Sequence, residues 1–447
     1  MPEAPNTGAR LPDLSHSGIE TPSPIFSRRL LFTNISSLMA LQGLNYIIPL
    51  VTLPYLVRVL GIGPFGLISV AQAFAAYFVI LTDYGFNFSA TRRIAQKHDD
   101  LAAVSEIFSA VITIKAAFMV FGLCIMVLIL RLVPHFRPDA AVYAVNYGTV
   151  IGSVLLPTWL FQGLQDMRTI AILNGITKLA SACLLFVFVH SSRDYLVAAA
   201  LPPLGVLVSG IAGLWICLGR LDLHYKFPRY SQIQEQLADG FHLFVSSASI
   251  TLYTNTNVFL VGLLAGNVQA GYFSAAEKVV RGVQALLGPI TQAIFPHVSA
   301  MKAQSKERAL QFLRKTLQVV GAFSLVSSIG LLVFARPVAL IIFGSKAAGS
   351  IPTLRWIAVL PFVVAVSNIL GIQTMIPFRL DRQLSRIYIT AGILSLFLSV
   401  PLIMRLGSQG AGISVTVIEV LIVLSMWRVI RGHGINLLRQ DGPSPRQ

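Results

Sequence analysis

Residues 60–73 read LGIGPFGLISVAQA and residues 265–278 read AGNVQAGYFSAAEK. Laid over each other at an offset of 205, Gly61 and Gly66 fall on Gly266 and Gly271, and Ser69 and Ala71 fall on Ser274 and Ala276. Four identities among small residues are a faint signal alone. Position gives them weight, because each string sits where one long apolar stretch ends and the next begins. Each therefore reads as the tight turn between the first and second helices of a repeated unit. Outward from these turns, stretches of membrane-spanning length, about 20 apolar residues each, recur along the chain. They lie at about 32–57, 65–86, 107–130, 141–163, 169–190 and 195–219, then at 241–265, 275–297, 316–343, 351–373, 385–405 and 409–430. Six spans per unit is an even number, so the two units share one orientation about an axis along the membrane normal. Secondary transporters built this way bind substrate between the repeats. The sequence thus predicts an all-α polytopic membrane protein: about twelve transmembrane helices in two six-helix bundles related by a pseudo-two-fold axis.

Composition agrees. Of 447 residues, 55% are hydrophobic and 12% charged, with a mean hydropathy of +0.73, against roughly 25% charged in a soluble domain. The 34 Lys and Arg exceed the 18 Asp and Glu, giving a formal charge of +16, but they are scattered between apolar runs and form no basic face for nucleic acid. Counted by alternate connections, 22 of them fall with the two termini and seven on the other side. By the positive-inside rule both termini are cytoplasmic. The expected organisation is a disordered cytoplasmic tail over 1–27, bundles over 28–220 and 241–432, a cytoplasmic linker over 221–240 and a tail over 433–447. Residues 1–27 have no apolar core and do not read as a signal peptide. Cys124, Cys183 and Cys217 lie inside apolar runs and read as packing residues. There is no GxxxxGK[ST] loop, HExxH, CxxC or nucleophile elbow, and the longest connection, Arg220 to Gly240, is too short for a catalytic domain. The chain reads as a transporter without a cofactor or metal, not as an enzyme.

Charge at membrane depth is costly, about 2.5–3.5 kcal/mol for a centrally placed ion, so such residues face a cavity or a partner. Glu277 and Arg281 are four apart in the eighth span, in the favourable order for an ion pair, with Lys278 turned about 100° away. Lys115 and Lys178 fall inside the third and fifth spans near their cytoplasmic ends, where snorkelling competes with a cavity role. Asp83 and Glu419 are the other carboxylates at this depth, each either a coupling-ion acceptor or the counter-ion of a neighbouring base. The seventh span places Ser247, Thr251 and Asn255 on one stripe, flanked by Tyr253 and Asn257. These suit either interhelical hydrogen bonds or the hydroxyls of a sugar.

Three strings, Ser36–Leu67, DYGFNFSATRRIA over Asp83–Ala95, and Ser249–Ser299, resemble the O-antigen (Wzx-type) flippases of the polysaccharide transporter family, within the MOP exporter superfamily. The resemblance covers nearly the whole membrane region, least distinctively in the last four spans. It implies two six-helix bundles around a central cationic cavity in the bacterial inner membrane. It also implies movement of undecaprenyl-pyrophosphate-linked oligosaccharide from the cytoplasmic to the periplasmic leaflet by alternating access, coupled to an ion gradient. On that basis Lys278, Arg281, Lys115 and Lys178 would meet the pyrophosphate, and Asn255, Asn257 and Thr251 the glycan. Asp83, Glu277 or Glu419 would serve the coupling ion. The partners implied are the lipid-linked oligosaccharide, membrane lipids, and polysaccharide polymerase and chain-length regulator proteins. Alternatives are another exporter of the superfamily, moving a peptidoglycan lipid precursor or a small molecule, and a membrane glycosyltransferase or polymerase. A cationic-drug exporter would favour acidic cavity residues, whereas bases outnumber acids here.

Overall fold

The computed structural model describes residues 28–221, 223–286, 288–435 and 437, and leaves side chains undescribed at 28–42, 46, 246, 249–254, 288–293, 296 and 303. The expected tail over 1–27 and most of that over 433–447 lie outside these residues. Every regular element among the described residues is helical. In the first half they are α1 (Arg28–Leu60), α2 (Ile62–Asp83), α3 (Phe86–Gln96), α4 (Leu101–Leu132), α5 (Ala140–Asn146), α6 (Gly148–Leu155), α7 (Thr158–Gly163), α8 (Met167–Phe188) and α9 (Tyr195–Gly219). The second half has α10 (Tyr230–Ala265), α11 (Asn267–Ala285), α12 (Gly288–Gln304), α13 (Lys306–Val333), α14 (Ala335–Phe343), α15 (Ser350–Ile357), α16 (Leu360–Asn368), α17 (Asp381–Leu406) and α18 (Ser408–Gly432). A π-helical turn, Ile369–Met375, extends α16.

Among the described residues ten helical segments are long and apolar enough to cross a membrane. The two expected spans outside that set, 241–265 and 275–297, fall on α10 and across α11 and α12, and each includes side chains outside the described residues. Of α10 the described apolar stretch is Asn255–Ala265, whereas α11 carries Gln269, Glu277, Lys278, Arg281 and Gln284. Lipid-facing helices do not tolerate such residues, and helices around an aqueous cavity need them.

The repeated turns close in the same way. Gly61 (φ 85°, ψ 170°) caps α2 and Gly266 (φ 86°, ψ 171°) caps α11, a conformation only glycine enters readily. One turn further on, Gly66 and Gly271 meet where α2 and α11 cross. A methyl group on Gly66 would overlap the carbonyl of Asn267 and the amide of Gly271, and one on Gly271 would overlap the carbonyl of Ile62. Small residues allow this backbone approach, which in a bilayer is what holds helices together. The same end of the molecule carries an apolar plug between the halves. Leu53 and Val57 of α1 and Phe65 of α2 pack with Val279 of α11 and with Ala339 and Phe343 of α14. At its rim Arg58 donates to the carbonyl of Ile341.

At the opposite end the chain leaves α2 through Tyr84 (φ 41°) and Gly85 (φ 78°) into α3. This elbow holds α10, whose Gly240 packs on Tyr84 and whose Phe244 ring stacks on that of Tyr84 at 4.8 Å. Arg93 of α3 pairs with Asp239 at 2.7 Å and Glu235 at 2.8 Å. Consequently α10 starts at Tyr230, inside the segment expected as linker, and its first turn is closed by the Arg229 amide donating to Gln232 Oε1 at 2.8 Å.

Candidate functional site

Between the halves lies a cavity of about 510 Å³ bounded by α1, α2, α8, α9 and α11. Its charged lining residues are Lys178 from α8 and Lys278 and Arg281 from α11, with no carboxylate among them. Its amides come from Asn45, Gln72 and Asn174, and its hydroxyls from Thr52 and Ser181.

Each cation is held differently. Lys178 donates to Asn45 Oδ1 across the α1–α8 contact. The Lys278 ammonium lies 4.8 Å from the centre of the Phe65 ring, a cation–π contact that keeps it beside the plug. Arg281 bonds Glu277 Oε1 through Nη2 at 2.8 Å and Nε at 3.1 Å, the ion pair its spacing predicts. The Arg281 side chain is still 51% exposed, so it can bind a second anion. One partnered carboxylate against three cations leaves this volume positive, and each of the three is a charged donor of the kind a phosphate accepts from.

The remaining residues read from the sequence part company. Lys115 does not line the cavity. It is 1% exposed and its Nζ sits 2.8 Å from Asp83 Oδ1, tying α4 to the end of α2. Asp83 Oδ2 also accepts from Asn87 Nδ2 at 3.4 Å. A buried charge stripped of its partner is costly, about 3–5 kcal/mol. Asp83→Asn is therefore expected to lower the unfolding temperature in detergent markedly. The double variant Asp83→Asn/Lys115→Met should recover most of the loss. A double variant as unstable as the single one would show that the pair is not the source of the effect.

Asn257 is buried away from the cavity. It accepts from Ser399 at 3.1 Å, and Ser399 lies 2.7 Å from Ser414, so this residue joins α10 to α17 and α18. Asn255, two residues earlier, faces the opposite way and lines a second cavity. The Thr251 and Tyr253 side chains lie outside the described residues. Glu419 is half-buried on α18 near Tyr388 of α17, and is not a lining residue of either cavity. Sequence reasoning missed Asn45, Gln72, Thr52, Asn174 and Ser181. Asn174, Lys178 and Ser181 follow the i, i+4, i+7 spacing of one helix face, a stripe as regular as the one read on α10.

Comparison with known proteins adds an independent line. A family model described as polysaccharide biosynthesis protein matches residues 31–302. A protein of Escherichia coli (strain K12) named as an O-antigen transporter is 33% identical over 411 residues, covering 90% of this chain and 96% of the relative. One of Shigella dysenteriae with the same name is 30% identical over 400 residues, covering 89% and 99%. The fold resembles that of an inward-facing multidrug resistance MATE transporter of the MOP superfamily (TM-score 0.69, 15% identity, 88% of this chain and 96% of that one). It also resembles the lipid II flippase MurJ in an inward closed conformation (TM-score 0.66, 14% identity, 91% and 88%).

Proposed function

The chain belongs to the polysaccharide biosynthesis protein family, a multi-pass membrane transporter and not an enzyme, and from that premise we propose that it flips undecaprenyl-pyrophosphate-linked oligosaccharide from the cytoplasmic to the periplasmic leaflet. The observation that carries this reading is the convergence of Lys178, Lys278 and Arg281 on one cavity without a lining carboxylate. A diphosphate needs buried cations, and a cationic drug would be repelled by them. The neighbouring amides of Asn45, Gln72 and Asn174 offer neutral donors and acceptors to sugar hydroxyls.

The proposed setting is the bacterial inner membrane with both termini cytoplasmic, supported by 22 basic residues on that side against seven on the other. The helices α10 and α11 complete twelve crossings, six in each bundle. In this topology the plug of Leu53, Val57, Phe65 and Phe343 lies at the periplasmic end, so the conformer is closed outward, as alternating access requires of one of its states. Among the three carboxylates considered for ion coupling, Glu277 is best placed, because protonating it frees Arg281 for phosphate. Asp83 is committed to Lys115. Polysaccharide polymerase and chain-length regulator proteins are the expected downstream partners.

Reconstitution tests the reading. Vesicles containing the purified chain are expected to move radiolabelled undecaprenyl-diphosphate oligosaccharide between leaflets, read as exposure to an added glycosidase. Protein-free vesicles should stay at background, because a charged, hydroxyl-rich headgroup does not cross hydrocarbon unaided. Equal rates with and without protein would refute the proposal.

A further inference from the structure

A second cavity of about 410 Å³ adjoins the cationic one, and Gln72, Pro202 and Val206 line both. Its wall is otherwise mostly apolar, from Ala76 and Val79 of α2, with Asn255 of α10 on the far side. On α2 every residue from 65 to 75 is buried except Gln72, which is exposed. The side-chain amides of Gln72 and Asn255 have no hydrogen-bond partner among the described residues, although both lie at membrane depth. Both amides are therefore open to the annex and can pair with a polar group that enters it.

We propose that this annex is a subsite for the sugar next to the diphosphate, and that it selects a sugar bearing an acylamino group. This rests on the flippase reading above. A diphosphate held by Lys278 and Arg281 would share its cavity with Gln72, which also borders the annex, so the annex is open to the sugar bonded to it. An acylamino substituent presents an N–H and a carbonyl, which two amide side chains can pair fully, and ends in a methyl group that fits among Ala76, Val79, Pro202 and Val206. A plain hydroxyl in the same place leaves the apolar wall facing a polar group. A polyprenyl tail would fill the apolar wall but leave Gln72 and Asn255 unpaired. The volume is in the usual range for small-ligand sites.

The test uses the full chain in vesicles, with radiolabelled polyprenyl diphosphates carrying either one N-acetylhexosamine or one hexose. The native chain is expected to move the N-acetyl lipid about tenfold faster, because a site built around hydrogen bonds rejects the analogue that lacks them. Asn255→Leu should abolish that preference while leaving the hexose lipid's rate unchanged within about threefold, and Gln72→Leu, whose amide also faces the diphosphate cavity, should abolish the preference and slow both lipids. Ala76→Leu, which fills the annex while keeping both amides, should do the same as Asn255→Leu and guards against a folding artefact in either amide variant. Equal rates for the two sugars in the native chain, or equal slowing of both by all three variants, overturns the proposal. So does an effect that follows prenyl length and ignores the sugar, which would assign the annex to the tail. A native chain that moves neither lipid overturns the flippase reading, and the proposal with it.

Discussion

Lys278→Ala or Arg281→Ala is expected to abolish delivery of the glycan to the outer leaflet while the chain stays in the membrane at its normal amount. Both residues lie on α11 and line the central cavity, and the Arg281 side chain is half exposed, so truncating Arg281 removes little packing and truncating Lys278 loses only its contact with the Phe65 ring. Each loses a charge-assisted hydrogen bond to phosphate, about 1.5–3 kcal/mol, which corresponds to roughly a 10- to 150-fold loss of binding. Arg281→Ala carries a second penalty: Glu277, now bonded to Arg281, would face the diphosphate as a bare carboxylate. Arg281→Ala should therefore be the more severe of the two, and adding Glu277→Gln should restore part of the loss. Surface glycan display in a strain dependent on the protein, read beside a membrane immunoblot, checks this. Unchanged display in both single variants would remove the cationic-cavity reading.

The second large effect concerns folding. Gly66→Leu forces a side chain into the backbone of Asn267 and Gly271, which has no freedom to move aside. Overpacking of ordinary cores costs about 1–3 kcal/mol, and a clash with main chain at a helix crossing lies above that range. The expected result is loss of monodisperse protein after detergent extraction. Gly321→Ala is the contrast, since a methyl group there meets nothing within 4 Å. It should be neutral or stabilising by up to about 1 kcal/mol, the helix-propensity difference between the two residues. If both variants purify and melt alike, the α2–α11 crossing is not the close contact described.

Much of this architecture was legible in the sequence because its signals are local. Apolar length marks spans, the Glu277–Arg281 spacing is set within one helix, and the Gly61/Gly266 offset compares like with like. What stayed hidden depends on separate segments meeting. Lys115 and Asp83 are 32 residues apart and come together only because α2 ends at the Tyr84–Gly85 elbow beside α4. Asn255 on the polar stripe and Asn257 beside it were both expected to meet the glycan. Two positions on a helix differ by about 200°, so one faces a cavity and the other a seam of serines. The α8 stripe was overlooked because Asn and Ser in a span look the same whether they bind a neighbouring helix or a ligand. Residues 230–240 fell in the segment expected as linker, whereas they extend α10 beyond the apolar region so that Glu235 and Asp239 reach Arg93.

That last contact changes what counts as a half. Glu235 and Asp239 belong by sequence to the second unit, yet they are fastened to α3 of the first, while the outer end of α10 packs with α11, α17 and α18. The covalent connection over 221–229 is therefore not what keeps the units together. An ancestor made of two identical chains could have acquired that peptide link without altering how its subunits recognised each other. The side chains lining the cavity divide between the units in the same way, the amides of α8 coming from the first and the cations of α11 from the second.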